Sequence, residues 1–118
     1  MTTHDEASGL VLRMLECFNT RQFDEADDLF TSSFVTHPFG TGPEQGKQAW
    51  RQLVAKFPDI QVVAEDILLA GDKVTVRSSI EGTETTSVAA QPILIEVFRI
   101  QDGRLAEWWG STWLPDLS

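Results

Sequence analysis

Glu96 is the one charged residue in Ile93-Leu94-Ile95-Glu96-Val97-Phe98, so an otherwise apolar strand carries a carboxylate into its middle. A carboxyl group placed among apolar side chains is costly to ionise. Its pKa rises toward neutrality, where it can take or give a proton at physiological pH. Two structural roles compete with that one: an ion pair with Arg77 or Arg99, and a carboxylate at a subunit interface. His37 follows the apolar extended piece Phe34-Val35-Thr36 and precedes Pro38, which pushes it toward an extended backbone. Its ring would either satisfy loop carbonyls or serve a ligand, by donating to a carbonyl oxygen or by setting the protonation of Glu96. Three of the four tryptophans, Trp108, Trp109 and Trp113, fall in one short segment. Alternation along a strand sends Trp108 to one face and Trp109 with Trp113 to the other, so both faces are apolar.

Other chemistries lack their residues. The acids of the Asp24 to Asp28 run have neither the glycine nor the ligand spacing of a calcium loop, and they read as the wet side of a helix, so no metal site is expected. Cys17 is the only cysteine, has no neighbouring histidine and lies within a helical pattern. It reads as a small packed residue in a protein of a reducing compartment. No phosphate-binding glycine loop and no serine nucleophile elbow are present. Nine Lys and Arg against 18 Asp and Glu give a net charge of −9, which repels phosphate backbones and anionic lipid. Nucleic acid and membrane are therefore poor partners, and a small molecule remains. With 118 residues and no apolar run of bilayer length, one soluble cytoplasmic domain spanning residues 1–118 is expected.

The elements that must position these residues follow from periodicity. Thr3-His4-Asp5-Glu6 has capping-box form, and Val11, Met14, Leu15 and Phe18 share one face, which predicts a helix from His4 to Asn19. His4 itself is given no role. Phe23, Ala26, Leu29 and Phe30 predict a short second helix. Phe34 to His37 is a short extended piece, and Phe39 to Gly42 a loop. Pro43 opens a third helix carrying Ala49, Trp50, Leu53, Val54 and Phe57, and Pro58 stops it. Trp50 and Phe57 fit a core stripe. From Ile60 the period becomes two, with a bulge at Glu65-Asp66 and a turn at Gly71-Asp72. Val74, Val76, Ser78, Ile80 and Gly82 share one face of the next strand, and Arg77 lies on the other. Thr83 to Gln91 is a polar connection. Pro92 to Ile100 and Arg104 to Trp113 form a hairpin about Gln101-Asp102-Gly103. A three-residue loop would set Ile100 opposite Arg104 and Glu96 opposite Trp108, with Gly110 on the same face. A two-residue turn would set Glu96 opposite Trp109. Three helices and four principal strands, with the short piece near Val35, make an α+β fold whose helices cover one sheet face.

Several stretches, in order along nearly the whole chain, together resemble the SnoaL-like polyketide cyclases of the nuclear transport factor two-like superfamily. They are Phe34-Val35-Thr36-His37, Gly42-Pro43-Glu44, Phe57-Pro58-Asp59, Glu65-Asp66, Gly71-Asp72-Lys73-Val74 with Arg77, Phe98-Arg99, Asp102-Gly103-Arg104, and Glu107 with Trp109. The resemblance implies a cone, in which a curved antiparallel sheet wraps three helices around a deep apolar cavity, in a homodimer or larger assembly. It also implies ring closure by intramolecular aldol chemistry, with no metal or organic cofactor. The family cavity favours the three-residue loop register. It places Glu96 at a second polar cavity position that is commonly His or Asp. It also places Gly110 where the family has its catalytic Asp after the tryptophan. The Thr83 to Gln91 connection is shorter than the family's.

The expected function is cofactor-independent, acid/base-initiated cyclisation or isomerisation of a small apolar carbonyl substrate. Glu96 would move the proton and His37 would orient or polarise the oxygen. Trp108, Trp50, Gly110, Ser78, Phe98 and Phe39 would shape the substrate site. Two alternatives stand beside it. One is a non-catalytic ligand-binding or scaffold protein, for which Gly110 argues. The other is epoxide hydrolase-like water addition, against which the outward Arg77 argues. Trp109, Trp113, Ile95 and Val97 are expected to form the homodimer face.

Overall fold

The computed structural model describes residues 2–37, 40–83 and 92–113, without the side chains of residues 112 and 113. Thr3 Oγ1 accepts a hydrogen bond from the Glu6 backbone N–H (3.2 Å) and so caps helix α1, His4–Asn19. One face of α1 buries Ala7, Leu10, Val11, Met14, Leu15 and Phe18. Its last residue, Asn19, donates to Val62 O and accepts from the Val62 N–H, both at 2.9 Å, which fixes the helix to the sheet. His4 ties the other end by donating from Nε2 to Ile67 O (2.9 Å). The second helix, Phe23–Leu29, is a 3₁₀ helix without a side-chain cap. Seven residues that include four acids are too short and too self-repelling for a stable α-helix. Helix α2, Pro43–Lys56, starts on Pro43 as the sequence requires.

The strands are β1 (Phe30–Thr36), β2 (Gly40–Thr41), β3 (Gln61–Ala70), β4 (Lys73–Glu81), β5 (Ile93–Gln101) and β6 (Arg104–Trp113). They form one curved, unclosed sheet in the order β2-β1-β6-β5-β4-β3. The short extended piece near Val35 is in fact a seven-residue strand, and the sheet has six strands instead of four principal ones. Nor is the sheet wholly antiparallel, because β1 runs parallel to β6. The register of that pair shifts between Phe30 and Val35, so Thr31, Ser32 and Ser33 break the apolar alternation by which a strand is recognised. The loop Phe39 to Gly42 contains the two residues of β2, which pair with Val35 and Thr36. On β3 the bulge falls at Glu65, between the pairs Ala64↔Ser78 and Asp66↔Arg77.

The β5–β6 turn corrects the expected register. It is a two-residue turn, with Gln101 opposite Arg104 and both central residues in the left-handed region, Asp102 at φ 53° and Gly103 at φ 76°. The extra residue lies further on, at Ala106, between the pairs Ile100↔Leu105 and Arg99↔Glu107. Glu96 is therefore opposite Gly110, and Phe98 opposite Trp108. Because the bulge moves β6 by one residue, Trp108 and Gly110 return to the face of Glu96. Val74, Val76 and Ile80 of β4, Phe98 and Ile100 of β5 and the apolar stripe of α1 meet in one core.

Candidate active site

Between the helices and the inner sheet face the described residues leave a cavity of about 590 Å³. Aromatic side chains supply much of its wall. Phe18 meets Trp50 edge-on at 5.7 Å, Phe30 packs on Phe34 at 4.5 Å, and Phe98 and Trp108 line the sheet side.

Glu96 enters this wall from the middle of β5 and is 7% exposed. Its Oε2 accepts from the Trp108 indole Nε1–H (2.8 Å), while Oε1 has no hydrogen-bond partner. Burial pushes the carboxyl pKa from 4.5 up to about 7, against the opposing pull of the Trp108 hydrogen bond. Neither arginine pairs with it. Arg77 lies on the outer face with Asp66 (2.6 Å), and Arg99 donates to Glu107 (3.0 Å). A carboxyl group held by one oxygen and open at the other, with both protonation states populated near neutrality, can act as base and then as acid.

Gly110 borders the cavity across from Glu96. A Cβ built there would fall 2.8 Å from Cε2 and Cη2 of Trp108 and closer still to Cζ2. Any side chain at 110 would displace the indole that holds Glu96. The glycine is thus the counterpart of the tryptophan's position.

The other expected site residues divide. Trp108, Trp50 and Phe98 line the cavity. Ser78 is fully buried on the inner face with its Oγ unpartnered, but it does not reach the cavity. Phe39 lies outside the described residues, as does most of the Thr83 to Gln91 connection. His37 borders the cavity, yet its ring turns away from Glu96. It donates from Nε2 to Glu107 Oε2 (2.6 Å) and stacks on Trp109 at 5.1 Å with 8° between the planes. The His37 and Arg99 hydrogen bonds hold the Glu107 carboxyl below its usual range. Among the described residues no three His, Cys, Asp or Glu side chains converge as metal ligands.

Sequence reasoning missed Thr36 and Gly46, which line the cavity from β1 and α2. It also missed Lys47, buried beside that wall with Nζ on Asp24 (2.8 Å), Asp27 (2.9 Å) and Glu44 (3.4 Å). The acidic run thus anchors the 3₁₀ helix to α2 besides facing water. The only sequence signal was Lys47 lying three residues before Trp50, beside the apolar stripe.

No curated protein matches this chain. Among solved structures, IdmH from Streptomyces antibioticus, described as a candidate polyketide cyclase, aligns with a TM-score of 0.77. That alignment is 22% identical and covers 89% of this chain and 90% of IdmH. TsrD from Streptomyces laurentii aligns at 0.79 with 20% identity, over 95% of this chain and 91% of its own. AclR from Streptomyces galilaeus, described as a candidate hydroxylase, aligns at 0.75 with 19% identity, over 93% and 90%. These likenesses establish the shared α+β fold. The sequence itself matches the SnoaL-like polyketide cyclase family over residues 9–112, a span that includes every cavity element described above. The chain belongs to the SnoaL-like polyketide cyclase family.

Proposed function

We propose that this protein is a cavity enzyme in which Glu96 moves a proton to start the cyclisation or isomerisation of a small apolar carbonyl compound. The observation that carries this reading is the buried carboxyl in the cavity wall, tied at Oε2 by Trp108 and unpartnered at Oε1. Ionised Glu96 takes a proton from the carbon next to the carbonyl, and electron density moves to the carbonyl oxygen. In isomerisation the protonated carboxyl returns the proton to another carbon of the enolate. In cyclisation the enolate carbon bonds to a second carbonyl carbon of the same molecule, that C=O opens to an alkoxide, and the carboxyl gives the proton to the alkoxide oxygen. The indole N–H keeps Oε1 as the reacting oxygen. His37, whose Nε2–H is given to Glu107 at the cavity edge, orients the substrate by accepting from one of its hydroxyls at Nδ1. The chemistry needs proton transfer alone, so the reading calls for no cofactor.

Family membership and the cyclase description of IdmH favour this class of reaction. The close approach of Trp108 accounts for Gly110 without loss of function, which weakens the binding-protein alternative. The outward Arg77 does the same for epoxide hydrolysis. No helix among the described residues is long and apolar enough to cross a membrane, and a cytoplasmic location fits the reading.

Exchange of the α-hydrogens of 1-tetralone into D₂O, followed by NMR, tests the proposal without the natural substrate. Wild-type protein should accelerate exchange, and Glu96→Gln should lower that acceleration by about 10² to 10⁴-fold while remaining folded. A Gln variant as active as wild type would refute the role of Glu96.

A further inference from the structure

We propose that Thr36 and Gly46 form a second polar subsite of the cavity, which holds a hydroxyl or carbonyl oxygen of the ligand on the far side of Trp108 from Glu96. The proposal rests on reading the cavity as a ligand site, and it stands whether or not Glu96 transfers a proton.

Among the described residues five buried side-chain polar atoms lack a hydrogen-bond partner, on Ser8, Thr31, Thr36, Ser78 and Glu96. Only Thr36 and Glu96 of these line the cavity. A buried hydroxyl without a partner is destabilising, and one that faces a cavity is satisfied by whatever oxygen or nitrogen enters. Thr36 is 4% exposed and pairs across β1 and β6 with Trp108, which in turn pairs with Phe98 on β5. Glu96 lies two residues along β5 from Phe98, so the two unpartnered oxygens share one sheet face with the Trp108 ring between them.

Gly46 is the independent observation. It is the fourth residue of α2 and borders the cavity beside Thr36. A Cβ at 46 would lie 3.6 Å from Thr36 Oγ1 and 3.8 Å from Phe34 Cε2, which is ordinary contact. Alanine would therefore fit, and it is the better helix former. The glycine weakens the helix and leaves open the space in front of a buried hydroxyl. Two destabilising features at one point of a cavity wall are what a ligand contact would offset. The ligand class that follows is an apolar ring compound with two separated oxygen functions, one for Glu96 and one for Thr36.

The test compares 1-tetralone with its 5-, 6- and 7-hydroxy derivatives, with binding read from the fluorescence of Trp50 and Trp108. In wild-type protein the best hydroxytetralone should bind about tenfold more tightly than 1-tetralone. Thr36→Val removes the hydroxyl, and Gly46→Ala covers it. Each should bring the two affinities within about twofold of each other, with melting curves confirming the fold. Both changes suit their strand and helix, and either one suffices if the other fails to fold. A preference that survives both variants, or hydroxytetralones that gain nothing in wild-type protein, would overturn the subsite alone. Failure of 1-tetralone to bind wild-type protein would overturn the carbonyl-cavity reading and this proposal with it.

Discussion

The two oxygens of Glu96 have different surroundings, and Trp108 sets the difference. The indole N–H reaches Oε2 only because the ring lies over Gly110, where a Cβ would overlap it. Glu96, Trp108 and Gly110 are therefore energetically one unit. Gly110→Ala should cost about 1 to 3 kcal/mol of stability by overpacking against the ring. It should cost far less in a Trp108→Ala background, where the ring is gone. Denaturant unfolding of both single variants and the double variant measures that coupling, and equal costs in the two backgrounds would disprove it. Glu96 was legible in the sequence because a lone charge in an apolar strand has few explanations. The Thr36 and Gly46 pair was not, because its members are ordinary residues ten positions apart that only β1 and α2 bring together.

The elements were legible where their period is unbroken. The stripes of α1 and α2 and the alternation of β4 are regular, and each element sits where its pattern ends. The full length of β1 was hidden by Thr31-Ser32-Ser33, and the β5–β6 register by a bulge at Ala106 that has no glycine to mark it. An alanine opposite no partner leaves no compositional trace, whereas Asp102-Gly103 marks its turn openly. On the outer sheet face, Ile93 is 46% and Ile95 37% exposed on consecutive outward positions of β5, with Val63 on β3 also exposed. We propose that a second copy of the chain covers this face. Sedimentation at micromolar concentration should give a dimer. A monomer at that concentration would mean that the face stays in water.

At the scale of the molecule, four of the cations are held by acids other than Glu96. Lys47, Arg51, Arg77 and Arg99 each pair with carboxylates away from Glu96, so against burial the inner carboxyl has the Trp108 hydrogen bond and none of these four charges. The two classes of acid give stability opposite pH dependences. Asp24, Glu44 and Glu107 are held below their usual range by Lys47, Arg51, His37 and Arg99. Their contribution is present above the ordinary carboxylate pKa and is lost as pH falls through the lowered values. Glu96, raised from 4.5 to about 7, works the other way. Its contribution is complete below pH 4.5 and is lost as pH rises through 7, by roughly 3 kcal/mol in all. The most direct measurement is the unfolding free energy of wild type and Glu96→Gln from pH 4 to pH 8. Glutamine carries no charge to bury, so the variant should gain on wild type by roughly 3 kcal/mol across that range, most of it between pH 5 and 7. Parallel curves would mean that Glu96 keeps an ordinary carboxylate pKa, and a variant that loses ground as pH rises would mean that its pKa is lowered; either result would show that it is not the proton carrier of the cavity.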